Sequence, residues 1–288
     1  MPELPEVETV VRQLHTLIGG RRIRSLELLD PRLDALPARA LSGCRVARVF
    51  RVGKQVVLEL ARAGASSFLV VHLRMTGRLC WQPGHRRPPR PHLRARLRLD
   101  GGELQYCDQR RFGTLRLVRS LKDITPRGLD PTSQDFTTAA LAGLLAGSTQ
   151  ELKVWLMRQD RLVGLGNIYA SEILFEARLN PLRPVGTLSA VEARRLHRAI
   201  GGVLSRAIAR CGTTFSDFQD AEGLSGSYQH CLKVFRREGQ PCPRCRRPIT
   251  RVVQQQRSTF FCAACQRGDR LPPRGEIGGD CRVRATPR

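Results

Sequence analysis

No apolar run in this 288-residue sequence approaches the roughly 18 residues needed to cross a membrane. The N-terminus is also no secretory signal, being acidic and amphipathic where a signal is basic and then apolar. The expectation is a soluble, intracellular protein with no membrane partner. Acidic residues are scarce: 25 Asp and Glu stand against 49 Lys and Arg, a formal net charge of +24 with a pI near 11.2. That imbalance implies a polyanionic partner, nucleic acid before anionic membrane. The excess is spread over folded-looking segments, so it is not a mere basic tail. Lysine is scarce beside arginine, a bias that a GC-rich genome alone could produce in part. There is no internal repeat and no Gly-Lys-Ser/Thr phosphate loop, so nothing reads as an NTPase.

What is present suits a globular chain, with 41% hydrophobic residues and enough length for two domains. In the opening MPELPEVETVVRQLHTLIGG, the apolar positions 7, 10, 11, 14, 17 and 18 form one helical face. Pro5 suits the first turn, and Gly19-Gly20 is a stop signal. Glu6 and Glu8 favour the positive end of the helix dipole. Pro2 and Glu3 precede the helix and gain no role from it. Residues 22–118 then read mostly as short strands: RIRSLEL, VARVF, QVVLEL, SFLVVHL, LRARLRL, ELQYCD and TLRLV. They suggest a β-sandwich. Leu93, Ala95, Leu97 and Leu99 face one way, Arg94, Arg96 and Arg98 the other, and Asp100-Gly101-Gly102 supplies a hairpin turn. The Pro/Arg-rich stretch QPGHRRPPRPH is expected to be a long mobile loop.

From residue 119 the texture changes. Residues 137–211 read as helices, and the expected organisation is an N-terminal β-sandwich domain over 1–118, a linker over 119–136 and a helical domain over 137–230. A finger over 231–267 and a basic, disordered tail over 268–288 complete it. Ser189 and Glu192 make a capping box before apolar residues at 196, 200, 203, 204, 207 and 208. The fold class is α+β.

Of ten cysteines, Cys44, Cys80, Cys107, Cys211, Cys231 and Cys281 are scattered. Cys242, Cys245, Cys262 and Cys265 form the pattern Cys-x2-Cys-x16-Cys-x2-Cys. Two tight turns of this kind close a tetrahedral Zn²⁺ site. Four protein ligands leave no open position, so one structural zinc per chain is expected. Arg257, on the hairpin between the pairs, reads from spacing alone as a solvated charge before a phosphate contact. In RLVGLGNIYASEILFEARL, Gly164, Gly166 and Asn167 precede a helical pattern. A structural turn with Asn167 as cap is the favoured reading, and a phosphate site at the helix N-terminus is the other.

These pieces occur in a particular order. PELPEVE at the N-terminus, YCDQRRFG, GLGNIYASE and a terminal four-cysteine finger together resemble the formamidopyrimidine-DNA glycosylase family. The likeness runs from residue 2 to about 267. It implies an N-terminal sandwich with a leading helix, and a helix–two-turns–helix domain ending in a zinc-ribbon hairpin. It further implies a bifunctional glycosylase and abasic-site lyase of base excision repair, acting on damaged double-stranded DNA as a monomer in the bacterial cytoplasm. The family's nucleophile is an N-terminal proline freed of the initiator methionine, which Pro2 matches. An α-amine with a pKa of about 7.7–8.0 is partly unprotonated near neutrality. Its attack at C1′ yields an iminium that acidifies the C2′ hydrogen. Glu3 matches the general acid/base, Lys54 the lysine assisting β-elimination, and Arg257 the finger arginine assigned to δ-elimination. Glu6 is expected to support the site.

A base inside a duplex must be flipped and its space refilled. Met75, Arg110 and Phe112 match the family's void-filling residues, an apolar wedge with an arginine for the orphaned base. His72, His92, Arg111, Lys153 and Asn167 match positions near the DNA backbone. TTFSDFQDAEGLSGSY resembles the loop that covers an oxidised purine, which favours 8-oxoguanine and formamidopyrimidines as lesions. Oxidised pyrimidines or abasic sites are a second reading, and a non-catalytic zinc-ribbon DNA binder a third. The chain departs from the pattern at Arg74 and Arg236, where glycine is usual, and at Gln109, where proline is usual. The stretch STQE (148–151) lacks the usual basic character.

Overall fold

The computed structural model describes residues 1–33, 36–84, 90–215 and 218–267. Helix α1 (Leu4–Ile18) buries Val7, Val10, Val11, Leu14 and Ile18, the face set by the apolar period. It ends as expected at Gly19, whose N–H donates to His15 O (3.0 Å). Then follow β1 (Ile23–Leu28), a single-turn α2 (Ala38–Leu41), β2 (Arg45–Val52), β3 (Gln55–Arg62) and β4 (Ala65–His72). After them come β5 (Gly77–Pro83), β6 (Leu93–Leu99), β7 (Gly102–Asp108) and β8 (Thr114–Val118).

These strands form two antiparallel sheets, β1-β6-β7-β5 and β2-β3-β4-β8. One core joins them to α1: Val46, Leu58 and Val71 come from one sheet, Leu97, Leu104 and Tyr106 from the other. This is the expected sandwich, and each of the seven sequence-predicted strands is present. Strand β5 has no counterpart among them, because its Arg78 and terminal Pro83 break the apolar pattern. It lies at a sheet edge, where proline is tolerated. The alternation in β6 slips at a bulge between Leu93 and Ala95, which leaves Leu93 only partly buried. Residues 85–89 of the expected loop, and the expected tail, lie outside the described residues.

Residues 119–136 are docked rather than free. Leu121 and Ile124 pack on the outer face of the second sheet against Val57, Phe68 and Val70. Beyond them α3 (Thr138–Leu145), α4 (Leu152–Leu156), α5 (Asn167–Ala177) and α6 (Ala190–Ala209) enclose a second core around Trp155, Tyr169 and Leu196. The Ser189/Glu192 capping box is formed. The hairpin β9 (Thr250–Gln254) and β10 (Arg257–Phe261) packs on this core through Phe260. Leu4 belongs to the helical core, whereas the rest of the α1 face belongs to the sandwich. The seam between the two cores therefore falls at the very start of α1, beside Pro2 and Glu3. Among the described residues no helix is long and apolar enough to cross a membrane.

Candidate active site and DNA-facing surface

Glu3 is the N-cap of α1, and its backbone N–H donates to Glu6 Oε2 (2.8 Å). Its side chain crosses the seam to the N-terminus of α5. There Oε1 accepts from Ile168 N–H (3.0 Å) and Oε2 from Tyr169 N–H (3.3 Å), where the helix dipole favours an anion. The glycines of GLGN make this approach possible: a Cβ on Gly166 would lie 2.5 Å from Glu3 Cδ. The N-terminus of α5 is thus taken by a carboxylate of the same chain, not left open to a phosphate. The expected cap is also corrected. Gly166 is the N-cap and Asn167 the first helical residue, its amide donating to Ser258 O (3.0 Å).

Glu6 is buried beneath Glu3. Its Oε1 accepts from Tyr169 O–H (2.6 Å) and Thr213 N–H (2.7 Å). Burial, and then the neighbouring charge of Glu3, push its pKa up to about 7. Glu8 does more than start a helix, since it pairs with Arg12 (2.7 Å) and with the buried Arg51 (3.0 Å). Arg51 also reaches Asp130 (2.9 Å), fastening the 119–136 segment to the sandwich.

Lys54 follows Gly53 (φ +59°) in the two-residue turn joining β2 to β3, where a left-handed first position favours glycine. Its ammonium is buried and donates to Leu165 O (2.7 Å). Burial lowers its pKa, the charge of Glu3 opposes the shift, and Arg257 adds to it. Lys153 is wholly buried, donating to Ser258 O (3.1 Å) and Thr259 Oγ1 (2.7 Å) beneath the finger hairpin. Burial and Arg257 bring its pKa down to about 8. Glu3, Lys54, Lys153 and Arg257 therefore share one field, although they come from four separate stretches of chain. Asn167 and Lys153 use Ser258 O to place β10, which carries the exposed Arg257 at its start.

Pro2 is buried and lines a cavity of about 60 Å³ with Met75, Ile168, Thr213, Phe215 and Phe218. Met75 and Phe112 are 40% and 50% exposed, unusual for large apolar side chains, and the Arg110 guanidinium lies 4.6 Å above the Phe112 ring. Their two loops are tied together by Asp108, which the sequence reading passed over. Its carboxylate accepts from Thr76 Oγ1, Gly113 N–H (2.8 Å) and Tyr106 O–H (3.1 Å). Arg111 is held by a two-point contact with buried Asp30, whose pKa falls to about 2 chiefly through that bond. His92 is exposed beside this group, its carbonyl accepting from Asp108 N–H (3.0 Å). His72 Nδ1 accepts from Arg74 N–H (3.1 Å). Burial, with Arg74 and Lys54 adding to it, takes its pKa to about 4. It is neutral at pH 7. Asp30 shows no signal in local sequence, because its main partner Arg111 lies 81 positions away. Asp108 lies within YCDQRRFG and holds the nearby Tyr106 and Gly113, and only its bond to Thr76, 32 positions away, is non-local.

The four cysteine sulfurs of the finger lie within 4.8 Å of one another. Tetrahedral Zn–S bonds of about 2.3 Å would set them roughly 3.8 Å apart, so the donor set fits one structural zinc. Glu172 fixes the approach to the finger by accepting from the N–H groups of Lys233 (2.8 Å), Val234 (3.0 Å) and Phe235 (2.9 Å).

Comparison with known proteins finds three successive matches along the chain. Residues 1–115 match the formamidopyrimidine-DNA glycosylase N-terminal domain. Residues 127–219 match its H2TH domain, and 239–268 the zinc finger found in FPG and IleRS. A formamidopyrimidine-DNA glycosylase from Symbiobacterium thermophilum is 44% identical over 305 residues, covering 100% of this chain and 98% of the relative. The MutM (Fpg) crystal structure from Thermus thermophilus superposes with a TM-score of 0.81 at 40% identity, covering 92% of this chain and 98% of that one. Wild-type Lactococcus lactis Fpg (MutM), in complex with DNA containing N7-benzyl-Fapy-dG, gives 0.83 at 32% identity. That match covers 93% of this chain and 100% of that one. Sandwich, helical module and finger together define a zinc-finger DNA glycosylase of base excision repair. The chain belongs to the formamidopyrimidine-DNA glycosylase family.

Proposed function

We propose that the chain excises oxidised purines, 8-oxoguanine and formamidopyrimidines, from duplex DNA and then cleaves the strand, with Pro2 as nucleophile. The observation that carries this reading is the placement of Pro2 and Glu3 at the seam of the two cores, beside Lys54 and beneath a cavity walled by Met75 and Phe215. With Met1 removed, the Pro2 nitrogen bonds to C1′ of the deoxyribose. The glycosidic bond breaks, and its electron pair leaves with the protonated base. Glu3 takes the proton that the Pro2 nitrogen loses on bonding and delivers it to the sugar ring oxygen as the ring opens to the iminium. Loss of a C2′ proton then expels the 3′ phosphate, and a second elimination expels the 5′ phosphate. Lys54 and Arg257 hold these leaving groups as anions, Lys54 from a buried position where a desolvated cation acts most strongly and Arg257 from the exposed start of the finger strand.

Met75, Arg110 and Phe112 refill the stack, while His72, His92, Arg111, Lys153 and Asn167 hold the backbone or place the groups that do. Zinc at Cys242, Cys245, Cys262 and Cys265 fixes the hairpin that presents Arg257. The enzyme works as a monomer in the bacterial cytoplasm. The test is a cleavage panel on duplexes carrying 8-oxoguanine, formamidopyrimidine, thymine glycol or an abasic site. Fastest cleavage of the two purine lesions, with β,δ-elimination ends, is expected. Preference for thymine glycol would transfer the substrate class to pyrimidines, and binding without any cleavage would leave a DNA-binding module.

A further inference from the structure

Arg236 stands third in the tight turn Val234–Arg237, which Arg237 N–H closes onto Val234 O (3.0 Å). Its φ is +59°, a left-handed conformation strained for any residue with a Cβ and ordinary for glycine. The backbone here asks for glycine, yet the chain carries arginine. The side chain shows what is gained, because its guanidinium lies 4.4 Å above the ring of Phe215. Phe215 is 40% exposed, and its other contacts lead inward: its ring is 5.7 Å from Phe235, which is 5.3 Å from Phe260 on β10. The same Phe215 lines the cavity beside Pro2, together with Met75. The remainder of its loop is fastened to the sandwich on the other side, by Trp81 N–H to Ala221 O (2.8 Å) and Gln13 Nε2 to Asp220 Oδ2 (2.8 Å).

We propose that Arg236 is a positioning residue that holds Phe215 as the outer wall of the base pocket, so that it favours lesions whose base needs an aromatic surface there. The proposal rests on the reading of Pro2 as the reacting residue. Arg236 touches neither sugar nor phosphate. It clamps from outside, by a cation–π contact, a ring that would otherwise turn into solvent. Removing it loosens the stage that handles the base, not the later stage in which the base has gone.

The test compares full-length R236G, R236K, F215L and R236G/F215L on duplexes with 8-oxoguanine and with a preformed abasic site, under single-turnover conditions. R236G relieves the strained turn, so its thermal stability should equal or exceed that of the parent, which separates a positioning loss from a folding loss. It should excise 8-oxoguanine on the order of three- to tenfold more slowly, while cleaving the abasic duplex within about twofold of the parent. R236K should recover part of the loss, and R236G should add nothing to F215L. Equal losses on both substrates, or additive losses in the double variant, would overturn the clamp. Failure of the parent protein to be trapped on abasic DNA through Pro2 would instead overturn the site reading beneath it.

Discussion

Glu6 is a carboxyl group with no solvent and with a second carboxylate, Glu3, as its neighbour. Its pKa of about 7 against an ordinary value of 4.5 means that the folded protein binds a proton there which the unfolded chain releases. The sign follows directly. Stability contributed at this site is greatest below pH 4.5, falls as pH rises towards 7, and is then lost at a level near 3 kcal/mol, since one unit is about 1.36 kcal/mol. Glu6→Gln cannot titrate, so denaturant unfolding of this variant should show a flatter stability profile between about pH 5 and 8 than the parent. Parallel profiles would mean that Glu6 is ionised throughout. Arg74 and Arg236 make a related point about strain. Both have a left-handed backbone, φ +52° and +59°, which explains why glycine is usual at these positions.

At the scale of elements, the two exposed loops with Met75 and Phe112 depend on a carboxylate that neither contains. Asp108→Asn keeps the shape but offers one acceptor oxygen where three donors converge, leaving a donor unpaired at about 1–3 kcal/mol. Like loss of the Phe112 wedge itself in Phe112→Ala, it should slow lesion capture on duplex DNA, with smaller effect on preformed abasic sites. An unchanged capture rate would show that the loops hold their shape without it. The finger gives a second expectation. Cys245→Ser, or removal of zinc by a chelator, should weaken DNA binding by releasing the hairpin that carries Arg257, and full affinity in zinc-free protein would contradict this. Much of this level was legible in the sequence. The α1 period, seven strands, the capping box of α6 and the cysteine spacing are local signals, and local signals survive without a fold. Strand β5 was not legible, because an edge strand tolerates the arginine and proline that disguise it. Asp30 and Glu172 were equally hidden, each being a buried acid whose purpose exists only once distant donors converge on it. Asp108 stood inside a motif, but its link to Thr76 across 32 positions was not local. For Asn167 and Lys153 the motif pointed to the neighbourhood but not to the bond, since both turn to Ser258 on the finger hairpin.

For the whole molecule, a net charge of +24 predicts an affinity for undamaged duplex that falls steeply with salt, at a slope of about −0.9 per neutralised phosphate. Arg257→Ala should flatten that slope by roughly one contact, and an unchanged slope would remove Arg257 from the phosphate footprint. The larger consequence of the architecture is that two separate cores meet at the first residues of the chain, where Leu4 enters one and Val7 the other. A nucleophile placed there is held by both domains at once. The most direct measurement is borohydride trapping during turnover on an 8-oxoguanine duplex, followed by peptide mapping of the protein–DNA adduct. The result expected is protein lacking Met1, covalently joined to DNA through Pro2, with trapping abolished when the N-terminus is blocked and zinc content unchanged. An adduct on a lysine such as Lys54, or undiminished trapping with a blocked N-terminus, would contradict the account.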